Sequence, residues 1–217
     1  MKVTRILTLA GLAVAAVSAN ALTLVTNRAN INANDSIDWG QFGAPFTGVV
    51  DGSMGTSSVY NMPFMITDGN GFERRDQWTG GWAGDFTQGD KLMWTQGGRG
   101  FELIFGYTLK AVGAQIQRDQ FGAFTATIEA FDGLGDSLGS FTINSNSTAN
   151  NDGSAAFLGV ESNAHDIARI VYTVDAGQTG NDFALNEVSM NACVPEPGTI
   201  AALGLGAIAL IRRKRSK

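Results

Sequence analysis

Residues 123–143 read AFTATIEAFDGLGDSLGSFTI, and this stretch decides the fold class. Apolar and polar residues alternate from Phe124 to Ala130, which is the two-residue period of a half-buried strand. The run Asp132–Asp136 is turn chemistry, and its two glycines allow positive φ angles. The stretch therefore predicts a β-hairpin that pairs Ala123–Phe131 with Ser137–Ile143.

Similar short segments recur on both sides of this hairpin, separated by turns rich in Gly, Asn, Ser and Asp. No long amphipathic helical pattern interrupts them, and the composition favours strands. The further predicted strands are Leu22–Thr26, Ile37–Phe42, Val59–Phe64, Lys91–Thr95, Phe101–Phe105, Val112–Gln117, Ala156–Val160, Ala168–Asp175 and Phe183–Met190. Many short strands predict an all-β domain over residues 22–192, an antiparallel β-sandwich or jelly roll.

The C-terminus has a separate, three-part organisation. Pro195, Glu196 and Pro197 form a stiff, extended segment, because proline fixes φ and disfavours helix at the preceding residue. Residues 198–211 are apolar and predict a short membrane helix, although a full crossing usually needs about 20 residues. Residues 212–217 are a basic tail that should stay on the cytoplasmic side. Its membrane-stop residues are Arg212, Arg213, Lys214 and Arg215.

This order of proline motif, apolar segment and Arg-rich end resembles the PEP-CTERM sorting domain of bacterial exported proteins, over residues 193–217. The resemblance implies recognition by exosortase, an integral-membrane cysteine protease and transpeptidase. It also implies a host that makes extracellular polysaccharide and biofilm. An ordinary C-terminal membrane anchor is the alternative.

The body between Val112 and Met190 is also similar, in its strands and turn residues, to the β-sandwich bodies common on PEP-CTERM proteins. The matching pieces include VGAQIQ at 112–117, FTATIEAFD at 124–132 and NDFALNEV at 181–188. Such bodies resemble galactose-binding-like jelly rolls, so the resemblance implies this fold for residues 22–192.

The N-terminus reads as a secretory signal peptide over residues 1–21. Two basic residues precede an apolar run at Ile6–Val17, and Ala19 and Ala21 are the small residues that signal peptidase reads. We expect the general secretion machinery to export the chain and signal peptidase to cleave after Ala21. An uncleaved N-terminal anchor is the alternative. The protein should be held transiently at the inner membrane and then reach the envelope surface or the extracellular space.

Charge argues against nucleic acid as a partner. The whole chain carries a formal net charge of −5, but seven of its 15 basic residues lie in the two termini. Residues 22–194 keep eight basic residues against 19 acidic ones, a net charge of −11. An acidic body repels anionic polymers.

The inventory of catalytic groups is small. The chain has one His and one Cys, so an internal disulfide is impossible and a His-rich zinc site is excluded. No nucleophile elbow or Walker loop is present. Glu102 and Glu129 are the acids least typical of turns, but sequence alone does not place a catalytic pair. We therefore predict a protein that is not an enzyme. Cys193 is an idle thiol, an intermolecular partner or a modification site.

Two binding chemistries remain. Jelly rolls often hold a structural Ca²⁺ through hard oxygen ligands, and Asp35, Asp182 and Glu187 are the candidates if the first and last strands lie together. No other cofactor is expected. Trp78 and Trp82 lie in a Gly-rich segment with polar neighbours and are candidates for stacking on sugar rings. The alternative is that these tryptophans close the ends of the sandwich.

Three functions fit these observations. The first is an exported, sorted surface or matrix protein whose non-catalytic body contacts exopolysaccharide. The second is a carbohydrate-binding module, and the third is a secreted glycan hydrolase or lyase.

Overall fold

The computed structural model describes residues 21–97, 100–175 and 182–192. Within these residues two single-turn 3-10 helices lie at Arg28–Ile31 and Trp39–Phe42, and strands supply the other regular structure. The strands are β1 (Leu22–Val25), β2 (Asp35–Ile37), β3 (Gly48–Val49), β4 (Ser53–Thr56), β5 (Pro63–Thr67), β6 (Phe72–Gln77), β7 (Gly81–Trp82), β8 (Lys91–Thr95), β9 (Phe101–Arg118), β10 (Gly122–Phe131), β11 (Ser137–Ser147), β12 (Ala156–Ser162), β13 (Ile167–Val174), β14 (Phe183–Leu185) and β15 (Val188–Ala192). Every pairing between them is antiparallel except the short β6–β7 contact.

Strand β9 belongs to two sheets. Its first half pairs with β5 on one side and β13 on the other, which gives the sheet order β4-β5-β9-β13-β10-β11. Its second half pairs with β12 on one side and with β15 and β14 on the other. This second sheet continues to β1 beyond β12, to β2 beyond β15, and to β8, β6 and β3 beyond β14. The predicted antiparallel β-sandwich is confirmed.

The apolar core lies between these sheets. The alternating residues of β10, from Phe124 to Ala130, are buried as the sequence pattern predicts. Tyr172 of β13 is fully buried, and its hydroxyl donates to the carbonyl oxygen of Leu158 in β12 at 2.9 Å. Burial raises the pKa of Tyr172, so the hydroxyl keeps its proton. This bond joins the first sheet to the second through the core.

Two paired glycines let β9 and β12 approach each other. Gly113 faces Gly159 in the ladder, and a Cβ added at Gly113 would lie 2.8 Å from the Gly159 Cα. The same atom would lie 2.7 Å from the ring of Phe157. No side chain fits between strand and ring, so glycine is required here.

Several strand predictions were wrong, and side-chain hydrogen bonds explain two of them. Residues 37–42 end β2 and enter a 3-10 turn, because the Asp38 carboxylate accepts the Gly40 N–H at 2.6 Å. Residues 59–62 are not a strand, because the N–H groups of Val59 and Tyr60 donate to the carboxylate of Asp35. The predicted strand at 183–190 divides into β14 and β15.

A carboxylate also holds the end of β5. The Asp51 Oδ1 accepts from the Thr67 hydroxyl at 2.5 Å and from the N–H groups of Asp68 and Gly69 at 2.8 and 3.0 Å. These three donors, the hydroxyl first, hold the pKa of Asp51 below its ordinary value.

We expect Tyr172→Phe to lower the free energy of unfolding by about 1–2 kcal/mol, because it removes a buried donor and leaves the Leu158 carbonyl short of a partner. The matched control is Tyr107→Phe, which alters a half-exposed residue and should change stability by less than about 0.5 kcal/mol. Urea unfolding followed by Trp fluorescence measures both. Equal stability of the two variants would contradict the role assigned to the Tyr172 hydroxyl.

We expect Asp51→Asn to destabilise the protein at pH 7 and to do so less in acid. A carboxylate with a lowered folded pKa stabilises fully above its unfolded pKa, about 4, and that contribution disappears as the pH falls through the folded pKa. Urea unfolding at pH 7 and pH 2 should therefore show a gap between variant and parent that is smaller at pH 2. The control is Asp136→Asn, at an exposed turn position. A gap of equal size at both pH values would refute this account.

Candidate functional site

The C-terminal end of the described body is held by a reciprocal side-chain clamp. The Ala192 N–H donates to the Asn34 Oδ1 at 2.8 Å, and the Asn34 Nδ2 donates to the Ala192 carbonyl at 3.0 Å. Ala192 is buried, and β15 lies between β9 and β2. The body is therefore secured at the residue directly before the predicted sorting segment, which begins at residue 193.

The predicted sorting residues lie outside the described residues. These are Pro195, Glu196, Pro197, Arg212, Arg213, Lys214 and Arg215; Ala19 of the predicted signal peptide and Cys193 also lie outside the described residues. Ala21 is described and directly precedes β1, which starts at the predicted mature N-terminus. Within residues 21–97, 100–175 and 182–192 no helix is long and apolar enough to cross a membrane.

Trp82 is not available as a sugar platform. It is only 6% exposed, it packs near Phe86, and its indole N–H donates to the Gln117 Oε1 at 3.3 Å. The prediction that Trp82 contacts sugar is therefore wrong, because its ring fills a second, smaller core. Trp78 is 58% exposed at a turn with φ +68°. Its role as a sugar contact stays a prediction.

A buried polar network explains why the Gly-rich segment around Trp82 folds inward. The Gln117 Nε2 donates to the Asp85 carboxylate at 3.0 Å and to the Ser147 hydroxyl at 2.9 Å. The Asp85 N–H donates back to the Gln117 Oε1 at 2.8 Å. These bonds attach the Gly-rich segment around Trp82 to the end of β11, so the Asp85 carboxylate has a structural role.

The structure does not bring together Asp35, Asp182 and Glu187. The Asp35 Oδ1 accepts from the N–H groups of Ser36 and Val59, both at 2.8 Å. Asp182 accepts from Gly97, and Glu187 is half exposed opposite Arg28 at 3.8 Å. Among the described residues no three His, Cys, Asp or Glu side chains gather as a metal site. The predicted calcium trio is wrong, because these three carboxylates do not gather at one place.

Three carboxylates at another corner have raised pKa values. Burial raises the pKa of Asp182, and the charge of Asp119 raises it further, although the Gly97 N–H acts in the opposite direction. Burial likewise raises the pKa of Asp68 and of Asp119.

Strand β9 carries a large bulge where it passes from one sheet to the other. Ile104 pairs with Arg169 and Leu109 pairs with Ile167, so residues 105–108 face Ala168 alone. Gly106, Tyr107 and Thr108 are exposed as a result. A Cβ at Gly106 would lie 2.6 Å from the Pro63 ring, so only glycine fits at the base of the bulge.

A groove of about 520 Å³ lies between this bulge and the β10–β11 turn. Tyr107 and Thr108 line one wall, and Asp132 and Leu134 line the other. The Asp132 Oδ1 fixes the turn by accepting the N–H groups of Leu134 and Asp136, both at 2.9 Å.

The floor of the groove contains Arg169, whose positive charge is paired with a carboxylate. The Arg169 guanidinium lies 3.5 Å from the Phe131 ring centroid and donates to the Glu102 carboxylate at 2.6 Å. Glu129, the other strand carboxylate, accepts from the Ser137 hydroxyl at 2.7 Å. Both acids that the sequence singled out are thus engaged.

Sequence reasoning missed this groove. It predicted strands at 101–105 and 112–117, whereas these residues form one strand. The Gly-Tyr-Thr sequence at 106–108, between two apolar runs, could have indicated an exposed interruption. The bulge itself depends on how β9 pairs with β13, which the sequence does not show.

Residues 194–215 match the PEP-CTERM protein-sorting motif. The motif implies export, sorting to the envelope and processing by exosortase. A comparison with the curated proteins finds no match to the chain.

Solved structures with similar architecture share little sequence with this chain. A DUF4465 family protein from Bacteroides caccae is 13% identical over 79% of this chain and 100% of its own, at a TM-score of 0.37. A family 29 carbohydrate-binding module is 13% identical over 62% and 96%, at a TM-score of 0.27.

A carbohydrate-binding module in complex with β-1,4-galactotriose is 8% identical over 59% of this chain and 88% of its own, at a TM-score of 0.28. At these TM-scores the three neighbours do not bear on the function of this chain. Directly after its antiparallel β-sandwich, the chain carries a PEP-CTERM protein-sorting motif.

Proposed function

We propose that this chain is an exported, exosortase-processed protein of the cell surface or extracellular matrix, with a non-catalytic β-sandwich that associates with exopolysaccharide. The observation that carries the proposal is the position of the sorting motif at residues 194–215, directly after the clamped end of β15.

The clamp makes processing compatible with a folded body. Ala192 is the last residue of β15, and its backbone is bonded by Asn34 on both its N–H and its carbonyl. Cleavage after the Pro-Glu-Pro motif removes no strand of the described body. Tension on the tail acts on a strand paired on both edges.

The occupied carboxylates favour a non-catalytic body. Glu102 is paired with Arg169, and Asp85 is bonded to the Thr148 N–H and Gln117. A glycosidase needs one carboxyl group free to protonate the leaving group and a second to act as base or nucleophile. Glu102 and Asp85 are therefore poor candidates for the acid and the base of a hydrolase.

A carbohydrate-binding module is the second candidate, and the groove beside Tyr107 favours it. The groove places an exposed aromatic ring next to polar side chains, which is a common arrangement in ligand sites. Trp78 is a second exposed aromatic residue, outside the lining of this groove.

We expect the protein recovered from its native host to lack the residues that follow the Pro-Glu-Pro motif, as measured by intact-mass spectrometry. Replacing Pro195, Glu196 and Pro197 by alanine should leave the tail attached, because the motif is lost and with it the restraint that proline places on φ. The control Ser216→Ala changes the tail beyond the basic stop and should be processed like the parent. A retained tail in the parent, or normal cleavage of the triple variant, would contradict the sorting proposal.

A further inference from the structure

We propose that the groove between Tyr107 and the Asp132–Asp136 turn binds a segment of a neutral polysaccharide. This inference rests on the proposed function, because it names the contact surface and the ligand class for the exopolysaccharide association.

Both walls of the groove are held before any ligand binds. Gly106 sits against Pro63 at the base of the bulge, and the Asp132 carboxylate fixes the opposite turn through two backbone N–H groups. Bulges commonly redirect side chains next to functional sites, and this one turns Tyr107 out of the sheet. A groove of about 520 Å³ is within the usual range for ligand sites.

The groups that face the groove suit a polyhydroxyl ligand. The Tyr107 ring is 53% exposed and offers a flat apolar surface to the face of a sugar ring. The Tyr107 and Thr108 hydroxyls and the Asp132 Oδ2 make no hydrogen bond with the described residues. Together they supply both donors and acceptors for sugar hydroxyl groups.

Charge selects a neutral glycan over an anionic one. The positive charge of Arg169 is already paired with Glu102 at 2.6 Å, which leaves the Asp132 carboxylate as the uncompensated charge on the groove lining. The surrounding body is acidic, with 19 acidic and eight basic residues between positions 22 and 194. Uronic acids or sulfated sugars would be repelled.

The groove is long enough for several sugar units. It shares Ile104, Phe105 and Gly106 with an adjoining apolar groove of about 240 Å³. The pairing of adjacent strands places five residues in one row on the outer face of the sheet. Across β4, β5, β9, β13 and β10 these residues are Met54, Met65, Ile104, Arg169 and Phe131. Five strands at about 4.8 Å spacing span roughly 19 Å. We therefore assign the surface to a chain that crosses the strands, with apolar sugar faces over the Met54–Ile104 end.

The test uses the full chain in detergent and four soluble probes: dextran, mannan and galactan as neutral polysaccharides, and alginate as an anionic one. Affinity electrophoresis should show retardation by at least one neutral probe and none by alginate. Tyr107→Ala should weaken the retained interaction at least tenfold. Asp132→Asn, which keeps an oxygen for the turn but replaces the free carboxylate oxygen, should weaken it severalfold.

The matched control is Phe121→Ala, which removes another exposed aromatic ring, outside the lining of both grooves, and should leave the affinity unchanged. Thermal unfolding of each variant shows that the body is intact. No retardation by any neutral probe, stronger binding to alginate, or binding unchanged in Tyr107→Ala would overturn the inference. If Trp78→Ala abolishes binding and Tyr107→Ala does not, this groove is rejected while polysaccharide association is retained. Mass spectrometry of the tail tests sorting independently.

Discussion

The pairing of β9 is the constraint on which the rest of the structure depends. This single strand of 18 residues contacts five others, with β5 and β13 along its first half and β12, β14 and β15 along its second. The two sheets are therefore covalently continuous, and the bond from Tyr172 to Leu158 crosses the core between them. The passage between sheets also requires the bulge at residues 105–108, so the groove beside Tyr107 follows from the same constraint.

The same strand brings the two ends of the body into one sheet. β1 pairs with β12, β12 and β15 flank the second half of β9, and the N- and C-terminal strands therefore belong to the same layer. Asn34 then fastens the last residue of β15. The proposed glycan groove uses the first half of β9 and the other sheet, so tail processing and ligand contact involve different parts of the fold.

Periodicity predicted much of the fold because it reports burial on one face of a strand. The predicted hairpin is present: β10 begins one residue earlier than predicted and β11 extends four residues further, to Ser147, while β8 matches its predicted bounds. β6 was missed because Arg74 and Gln77 occupy buried positions, where Arg74 is held by Asp76. A charged residue at an inward position conceals the alternation, and its partner is visible only in three dimensions.

Site residues were harder to predict than strands. A tryptophan in a Gly-rich segment looks the same in sequence whether its ring is exposed or, as for Trp82, packed inward with a bond to Gln117. Tyr107 was not predicted as a site residue, because its exposure depends on the register between β9 and β13. The sorting motif could be recognised from sequence because it is a linear signal whose chemistry needs no tertiary contact.

Native-state hydrogen exchange tests the central claim about β9 most directly. If one strand couples both sheets, the amides of Leu103 and Val112, in opposite halves of β9, exchange only through global unfolding and give the same free energy of opening. Addition of low urea should lower both values with the same slope. Two clearly different opening free energies, with one half of β9 exchanging while the other stays protected, would contradict the account.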